Sequence, residues 1–295
     1  MAHRGADPLA TAGRGSTVVG VIDQHLEPAV EPTEQAEPSP APHQARRFRR
    51  IPLLNVEIDD MTMDDLLALR SGSFVTLHVD MLGKLQRDRS FYEIWPTFQY
   101  VTCDSQFLVF AMKLMGRPVR ERVSGSDFLP RFYTQHANDP DTTIFLFGAA
   151  PGIAEVAAEK INAKVGRQIV VGTASPPFDL VDGSPEDDAF VEQIIASGAT
   201  VVVVGLAAGR QEKWIASHRD RLPGVRLILP LGGTIDYEAG SVKRPPAWVT
   251  NVGLEWFWRL AREPKRRFRR YVIEQPRIIP ALVKDHLGRY RNPFA

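Results

Sequence analysis

The chain has 295 residues, of which 44% are hydrophobic and 24% charged, so it is long and apolar enough to bury a full core. Its single cysteine excludes an internal disulfide and a zinc site built from cysteines, and it favours a reducing compartment. The formal net charge of +1 conceals an acidic N-terminal stretch and a basic C-terminal stretch.

The first part of the chain has no sustained apolar period. Residues 1 to about 45 are rich in Pro, Ala, Glu and Gly, which predicts a disordered N-terminal extension over residues 1–50. No apolar run reaches the roughly 18–20 residues that cross a bilayer, and Ser16–Ile22 is too short for a signal peptide. We therefore expect a cytoplasmic protein.

From residue 51, short apolar runs alternate with segments of helical period. The predicted strands are Ser73–Val79, Gln99–Cys103, Thr143–Gly148, Gln168–Gly172, Thr200–Leu206 and Val225–Leu231. The predicted helices are Gln106–Met115, Pro151–Val165, Pro185–Ala196 and Gln211–Arg221. Buried strands alternating with helices predict an α/β fold, a Rossmann-like parallel sheet flanked by helices, over residues 51–245.

After Gly240 the pattern is helical, from about Pro246 to Arg262 and again from Pro264, which predicts a basic helical C-terminal appendage over residues 246–295. Residues 259–291 hold eleven Lys and Arg against three acids, interleaved with apolar residues. This mixture is typical of peripheral contact with an anionic membrane. No fold motif supports a nucleic-acid partner, and a homo-oligomer stays open because a subunit interface has the same apolar signature.

Polar residues follow the first predicted strands, where α/β folds expose their functional groups. Asp104 ends a strand, so it is either a catalytic carboxylate or the N-cap of the next helix. Arg122 precedes a Gly-containing loop with Ser126; it can hold a phosphate or sugar oxygen, or pair with Asp127. Thr76 lies on the strand Ser73–Val79, and its position alone indicates an ordinary strand threonine.

A second polar group follows the later strands. Gln211 opens a helix and can both donate to and accept from a sugar or a base. Gly232 and Gly233 let a ligand approach the backbone, and Asp236 either binds that ligand or closes an Asx turn. Asp139-Pro140-Asp141 precedes its strand, so we expect no metal site there.

Three arginines of the appendage are spaced by seven and three residues: Arg259, Arg266 and Arg269. On one continuous helix they share a face within about 80°. Such a row can offset the charge on a departing diphosphate, which a divalent metal does in other enzymes. The alternative is that the arginines form a solvated or lipid-facing stripe. Pro264 lies between Arg259 and Arg266 and can start a second helix there.

Several ordered blocks carry a family resemblance: Arg122–Asp127, Gly148–Gly152, Gln211–Ile215, Gly232–Asp236, Leu254–Trp256 and Glu263-Pro264. From about Val75 to Tyr271 the chain resembles the bacterial family 26 glycosyltransferases of teichoic acid, common antigen and exopolysaccharide assembly. The resemblance implies an inverting enzyme without a cofactor. It would move a sugar from a UDP-sugar to a polyprenyl-diphosphate-linked glycan at the inner face of the cytoplasmic membrane.

The resemblance also implies roles for the residues above. Asp104 would be the general base, with Thr76 and Arg122 beside it, and Gln211, Asp236 and the arginine row would hold the donor. The chain departs from the family at Cys103-Asp104-Ser105-Gln106, where glycines are usual. A non-catalytic nucleotide-sugar-binding or scaffold protein is therefore the second hypothesis. A dinucleotide-dependent oxidoreductase is disfavoured because no Gly-x-Gly-x-x-Gly follows a strand.

Overall fold

The structure is a computed structural model, and it describes residues 48–246, 249, 255–262 and 264–295. Within residues 255–271 it leaves several side chains undescribed, those of Arg259 and Arg266 among them. The predicted N-terminal extension lies almost entirely outside the described residues, so that prediction stays open.

The core is a six-stranded parallel sheet, which confirms the predicted α/β class. Its strands are β3 (Gly72–Leu77), β4 (Tyr100–Cys103), β5 (Ile144–Gly148), β6 (Val170–Ala174), β7 (Val201–Gly205) and β8 (Leu227–Pro230). Their order across the sheet is β4-β3-β8-β7-β5-β6. All six strands were predicted with slightly different ends. An antiparallel hairpin of β1 (Arg50–Leu53) and β2 (Val56–Asp59) was missed.

Nine α-helices, besides two short 3₁₀ helices, precede the appendage in the described range 48–246. They are α1 (Met63–Leu67), α2 (Val79–Lys84), α3 (Arg89–Ile94), α4 (Gln106–Leu114), α5 (Gly125–Gln135), α6 (Ile153–Val165), α7 (Pro185–Ala196), α8 (Arg210–His218) and α9 (Thr234–Ala239). The prediction that Pro151 is the first residue of α6 is wrong. Gly152 has a φ of 82° and caps the helix, because glycine tolerates this left-handed conformation.

The sheet separates two hydrophobic cores. Along β7, Val202 and Val204 face one core with α7 and α8, whereas Val201 and Val203 face the other core with α5, α6 and α9. The helix after β5, α6, therefore packs on one face of the sheet, whereas the helix after the adjacent β7, α8, packs on the opposite face. In open α/β sheets, such a divergence marks the crevice at the carboxyl ends of the strands where ligands bind.

The C-terminal residues form three helices, α10 (Glu255–Arg262), α11 (Pro264–Phe268) and α12 (Ile279–His286), with a π-helical segment over Arg269–Glu274 and a short 3₁₀ helix over Gln275–Ile278. Ile278 and Leu282 are buried in the hydrophobic core. Arg117 pairs with Asp285 at 2.9 Å, which joins α12 to the segment after α4. Among the described residues, no helix combines the length and the apolar character that a membrane span requires.

Candidate active site

Asp104 lies at the carboxyl end of β4, as predicted. Its backbone N–H donates to the carbonyl of Leu77 at the end of β3, at 2.9 Å. The N-cap of α4 is Ser105, whose hydroxyl accepts from Leu108 N at 3.4 Å. Asp104 is therefore not the helix cap, and its side chain is 25% exposed.

Arg122 is held against Asp104 by a long-range backbone contact. Val123 N donates to the carbonyl of Cys103 at 2.8 Å, so the segment before α5 runs beside the end of β4. Arg122 Nη1 lies 3.1 Å from Asp104 Oδ1, and Nη2 lies 3.7 Å from Asp127 Oδ2. The ion pair predicted with Asp127 is present, and the shorter contact with Asp104 fixes the orientation of that carboxylate.

Thr76 lies on β3 in register with Thr102 on β4 and is buried. The start of α5 covers it closely. A Cβ atom on Gly125 would lie 3.5 Å from Thr76 Oγ1 and 3.0 Å from Leu231 Cδ2, so a glycine permits this approach. Ser126 shares a 3.0 Å hydrogen bond with the Ser124 hydroxyl in the same turn. Thr76, Arg122 and Ser126 therefore converge on the ends of β3 and β4.

The predicted donor residues meet at the ends of β7 and β8. Gln211 is buried; its Oε1 accepts from Gly232 N at 3.1 Å, and its Nε2 donates to Glu212 at 2.7 Å. Gln211 thus joins α8 to the loop after β8. Gly232 has a φ of 52°, and Gly233 beside it is exposed. Asp236 is half-buried in the first turn of α9 and accepts from the Ser241 hydroxyl at 3.4 Å.

Glu212 is a fully buried carboxyl group under this loop. It accepts hydrogen bonds from Gly209 N and Gln211 Nε2, so Glu212 satisfies the backbone N–H of the N-cap residue Gly209 at the start of α8. Burial raises the pKa of Glu212 above its ordinary value, while those hydrogen bonds and the nearby Lys84 act in the opposite direction. The sequence signal for this arrangement is the spacing of Gly209 and Glu212.

The turn after β5 is strained where it borders the crevice. Gly148 has a φ of 131°, and a Cβ there would lie 2.5 Å from the backbone of Gly205 on β7. Ala149 follows with a φ of 65°, a conformation uncommon for residues other than glycine, and its N–H donates to the Gly205 carbonyl at 3.1 Å. Such strain often occurs at ligand sites.

Three residues that the sequence analysis did not assign to the site, Arg244, Glu238 and Tyr133, extend the charge network outward. Arg244 Nη1 lies 3.8 Å from Asp127 Oδ1, and Arg244 Nη2 lies 3.8 Å from Glu238 Oε1. Tyr133 donates to Glu238 at 2.9 Å. The charges therefore alternate from Asp104 through Arg122 and Asp127 to Arg244. Their separation in the chain leaves no local signal for this network.

The arginine row is described only in part. The side chains of Arg259 and Arg266 lie outside the described residues. Arg269 begins the π-helical segment, is 81% exposed and pairs with Glu274 at 3.0 Å. Because α10 ends at Arg262 and α11 begins at Pro264, the common face of the three arginines stays a prediction.

Asp139 of the Asp-Pro-Asp turn has a structural role. Its carboxylate accepts from the Thr142 hydroxyl at 2.6 Å and lies 3.1 Å from His136 Nδ1. The Thr142 hydrogen bond, followed by the His136 contact, lowers the pKa of Asp139 to about 2. The described residues contain no cluster of three or more His, Cys, Asp or Glu side chains able to hold a metal ion.

Two comparisons with known proteins bear on this site. The sequence profile of the glycosyl transferase WecG/TagA/CpsF family matches residues 51–292, a range that includes every site residue named above. A protein of Bacillus subtilis (strain 168) is 28% identical over 181 residues, which cover 61% of this chain and 67% of that protein. That relative is named N-acetylglucosaminyldiphosphoundecaprenol N-acetyl-beta-D-mannosaminyltransferase.

Proposed function

Because the chain belongs to the WecG/TagA/CpsF family and is a glycosyltransferase, we propose that it moves a sugar from a UDP-sugar to a polyprenyl-diphosphate-linked saccharide, with inversion. The name of the Bacillus subtilis relative supports a lipid-linked acceptor and an N-acetylmannosaminyl donor. The donor sugar is N-acetylmannosamine, its uronic acid or glucose. The relative's β-linked product is the one that an α-linked nucleotide sugar gives by inversion.

The observation that carries this proposal is the Asp104–Arg122 pair beside Thr76 at the carboxyl edge of the sheet. Asp104 takes the proton of the acceptor hydroxyl as that oxygen attacks the anomeric carbon. The bond from this carbon to the diphosphate oxygen breaks on the opposite face, and UDP leaves with the electron pair. Arg122, at 3.1 Å, keeps the Asp104 carboxylate directed at the acceptor.

The donor occupies the other half of the edge in this proposal. Gly232 and Gly233 let the diphosphate approach backbone N–H groups, and Gln211 fixes their loop through its bond to Gly232 N. Asp236 accepts from a donor hydroxyl. The arginines Arg259, Arg266 and Arg269 supply the counter-charge to the departing diphosphate, so the reaction needs no metal ion.

The basic C-terminal segment places the enzyme at its substrate in this proposal. Exposed apolar side chains, among them Phe268, Val272 and Val283, lie among basic residues in this segment. Such a surface suits peripheral binding to anionic lipid, and we assign it to the inner face of the cytoplasmic membrane. The product then belongs to a cell-envelope or extracellular polysaccharide.

The test is incubation of the full chain with a panel of UDP-sugars and a short-chain polyprenyl-diphosphate glycan, followed by mass spectrometry of the glycan. One added hexose, N-acetylhexosamine or uronic acid residue, with equimolar UDP, is the expected result. UDP binding without transfer from any donor would overturn the proposal and favour the nucleotide-sugar-binding scaffold.

A further inference from the structure

A groove of about 1020 Å³ separates α2 from the C-terminal segment that follows the π-helix. Its lining includes Val79 and Lys84 on the α2 side and Ile278 and Leu287 on the α12 side. No residue assigned above to the base, the donor loop or the arginine row lines it. The volume is at the upper end of the range for small-molecule sites, about 300–1,000 Å³.

The groove has a strong excess of positive charge. Its basic lining residues are Lys84, Arg87, Arg277, Lys284, Arg289 and Arg291. The acids of the lining already have partners: Asp80 accepts from Gln275 at 3.1 Å, and Glu274 pairs with Arg269 at 3.0 Å.

Most of these cations are open to a ligand. Arg87, Arg277, Lys284, Arg289 and Arg291 are exposed, and none of the five pairs with an acid among the residues that the structure describes. Uncompensated cations around one cavity favour an anionic ligand.

The walls between these cations are apolar. Val79, Ile278, Ala281 and Leu287 contribute hydrophobic surface, and Leu287 is 56% exposed. A small inorganic anion gains nothing from such walls, whereas an amphiphile buries its hydrocarbon there. The combination fits a molecule that carries a phosphate-based head on an apolar chain.

Hydrogen bonds join the two walls of the groove, and its lining residue Val79 follows the strand end that contacts the candidate base. Gln275 donates to Asp80 at one end, and the Tyr290 hydroxyl donates to Gln86 at the other. Val79 lies two residues after Leu77, whose carbonyl accepts from the N–H of Asp104. A head group bound at this end would present an attached sugar to the Asp104 carboxylate.

We infer that this groove binds the isoprenoid diphosphate of the acceptor, with the cations on the diphosphate and the apolar walls on the first isoprene units. The inference rests on the proposed function for the identity of the amphiphile. It concerns the acceptor alone, so it separates recognition of the lipid from recognition of the UDP-sugar.

The experiment measures binding of farnesyl diphosphate to the full chain by isothermal titration calorimetry, with farnesol and inorganic diphosphate as partial ligands. The test variants are the double substitution Arg289→Gln with Arg291→Gln, and the single substitution Leu287→Gln. The matched control is Arg70→Gln with Arg131→Gln, which removes two exposed arginines that do not line the groove. Thermal unfolding and UDP binding verify that each variant is folded.

The arginine double variant should bind farnesyl diphosphate at least about tenfold more weakly, the loss expected when charge-assisted contacts disappear. Leu287→Gln should weaken farnesyl diphosphate but not inorganic diphosphate, and the control should match the unsubstituted chain. Equal binding by the double variant and the control would overturn the inference. The inference would also be overturned if the arginine double variant lost binding to phosphatidylglycerol vesicles but kept its affinity for farnesyl diphosphate. The groove would then be only a membrane contact.

This experiment can fail independently of the proposed function. If the unsubstituted chain binds farnesyl diphosphate through the groove but transfers no sugar, the proposed reaction fails and the groove stands. If sugar transfer occurs and the double variant keeps the acceptor KM unchanged, the groove fails and the reaction stands.

Discussion

Substitution of the buried Asp187 should strongly destabilise the part of the chain that carries the proposed donor site. Asp187 on α7 is inaccessible and faces three nitrogen atoms from elsewhere in the fold. Gly183 N donates to it at 2.7 Å and Trp214 Nε1 at 2.8 Å, while His218 Nε2 lies 2.7 Å away. These contacts fix α8, whose first turn holds Gln211.

Asp187→Asn should destabilise the protein by roughly 3–5 kcal/mol, because a buried carboxylate loses hydrogen bonds that are worth about 1.5–3 kcal/mol each when the acceptor is charged. Part of this loss has a direct structural origin. The amide keeps one acceptor oxygen where the carboxylate offers two, so at least one donor is left unpaired at about 1–3 kcal/mol. Asp188 supplies the matched control, because its carboxylate is half-exposed and pairs with the exposed Arg221 at 2.6 Å. Asp188→Asn should cost less than about 1 kcal/mol.

Urea denaturation of the full chain, followed by tryptophan fluorescence, measures both losses. Burial raises the pKa of Asp187, but the hydrogen bonds and His218 outweigh burial, so the pKa lies below its ordinary value. The stabilisation is therefore present above the unfolded pKa of about 3.9 and disappears as the pH falls through the folded pKa. The difference in the free energy of unfolding between the unsubstituted chain and Asp187→Asn should therefore decrease below about pH 4. Equal midpoints for the Asp187 and Asp188 variants at pH 7 would refute the reasoning.

Three further predictions follow from the site. Gly148→Ala should lower the free energy of unfolding by at least about 2 kcal/mol more than Gly116→Ala in the same denaturation assay. Both glycines have a positive φ, but only at Gly148 does the new Cβ lie 2.5 Å from backbone. Equal losses would contradict the close approach of β5 and β7. Burial raises the pKa of the Cys103 thiol to about 12, so iodoacetamide at pH 8 should label it slowly in the native chain and readily in urea. Labelling of the native chain at the rate of a free thiol would contradict the burial of Cys103 at the end of β4. Chelation with EDTA should leave sugar transfer unchanged, because the proposed mechanism assigns the counter-charge to arginines. A loss of transfer that Mg²⁺ restores would contradict this mechanism.

The sheet was predictable from the sequence because its strands are apolar on both faces. Val201–Val204 is an unbroken apolar run, and both of its faces pack against helices. The β1–β2 hairpin was missed because Arg50–Asp59 mixes charged residues and Pro52 with short apolar stretches. Helix α5 was missed, and its first turn was predicted as part of a loop because Gly125-Ser126-Asp127 has the composition of a turn.

The site was predictable to the extent that it depends on strand ends. Asp104 was placed correctly because a polar residue directly after a buried strand reaches the carboxyl edge of a parallel sheet. Its pairing with Arg122 depends on the contact between Val123 and Cys103, and no local pattern records a contact over twenty residues. The fixation of Gln211 by Gly232 is equally non-local. The sequence therefore indicates which residues have suitable chemistry, and the fold determines which of them meet.

The most direct test of the account is the turnover of Asp104→Asn beside that of Asp127→Asn, with UDP affinity measured for both. The two carboxylates contact the same guanidinium group of Arg122, at 3.1 and 3.7 Å, but only Asp104 is the proposed base. We predict that Asp104→Asn loses at least about a hundredfold in kcat and keeps its UDP affinity, whereas Asp127→Asn retains most of its turnover. Undiminished transfer by Asp104→Asn would contradict the assignment of the base.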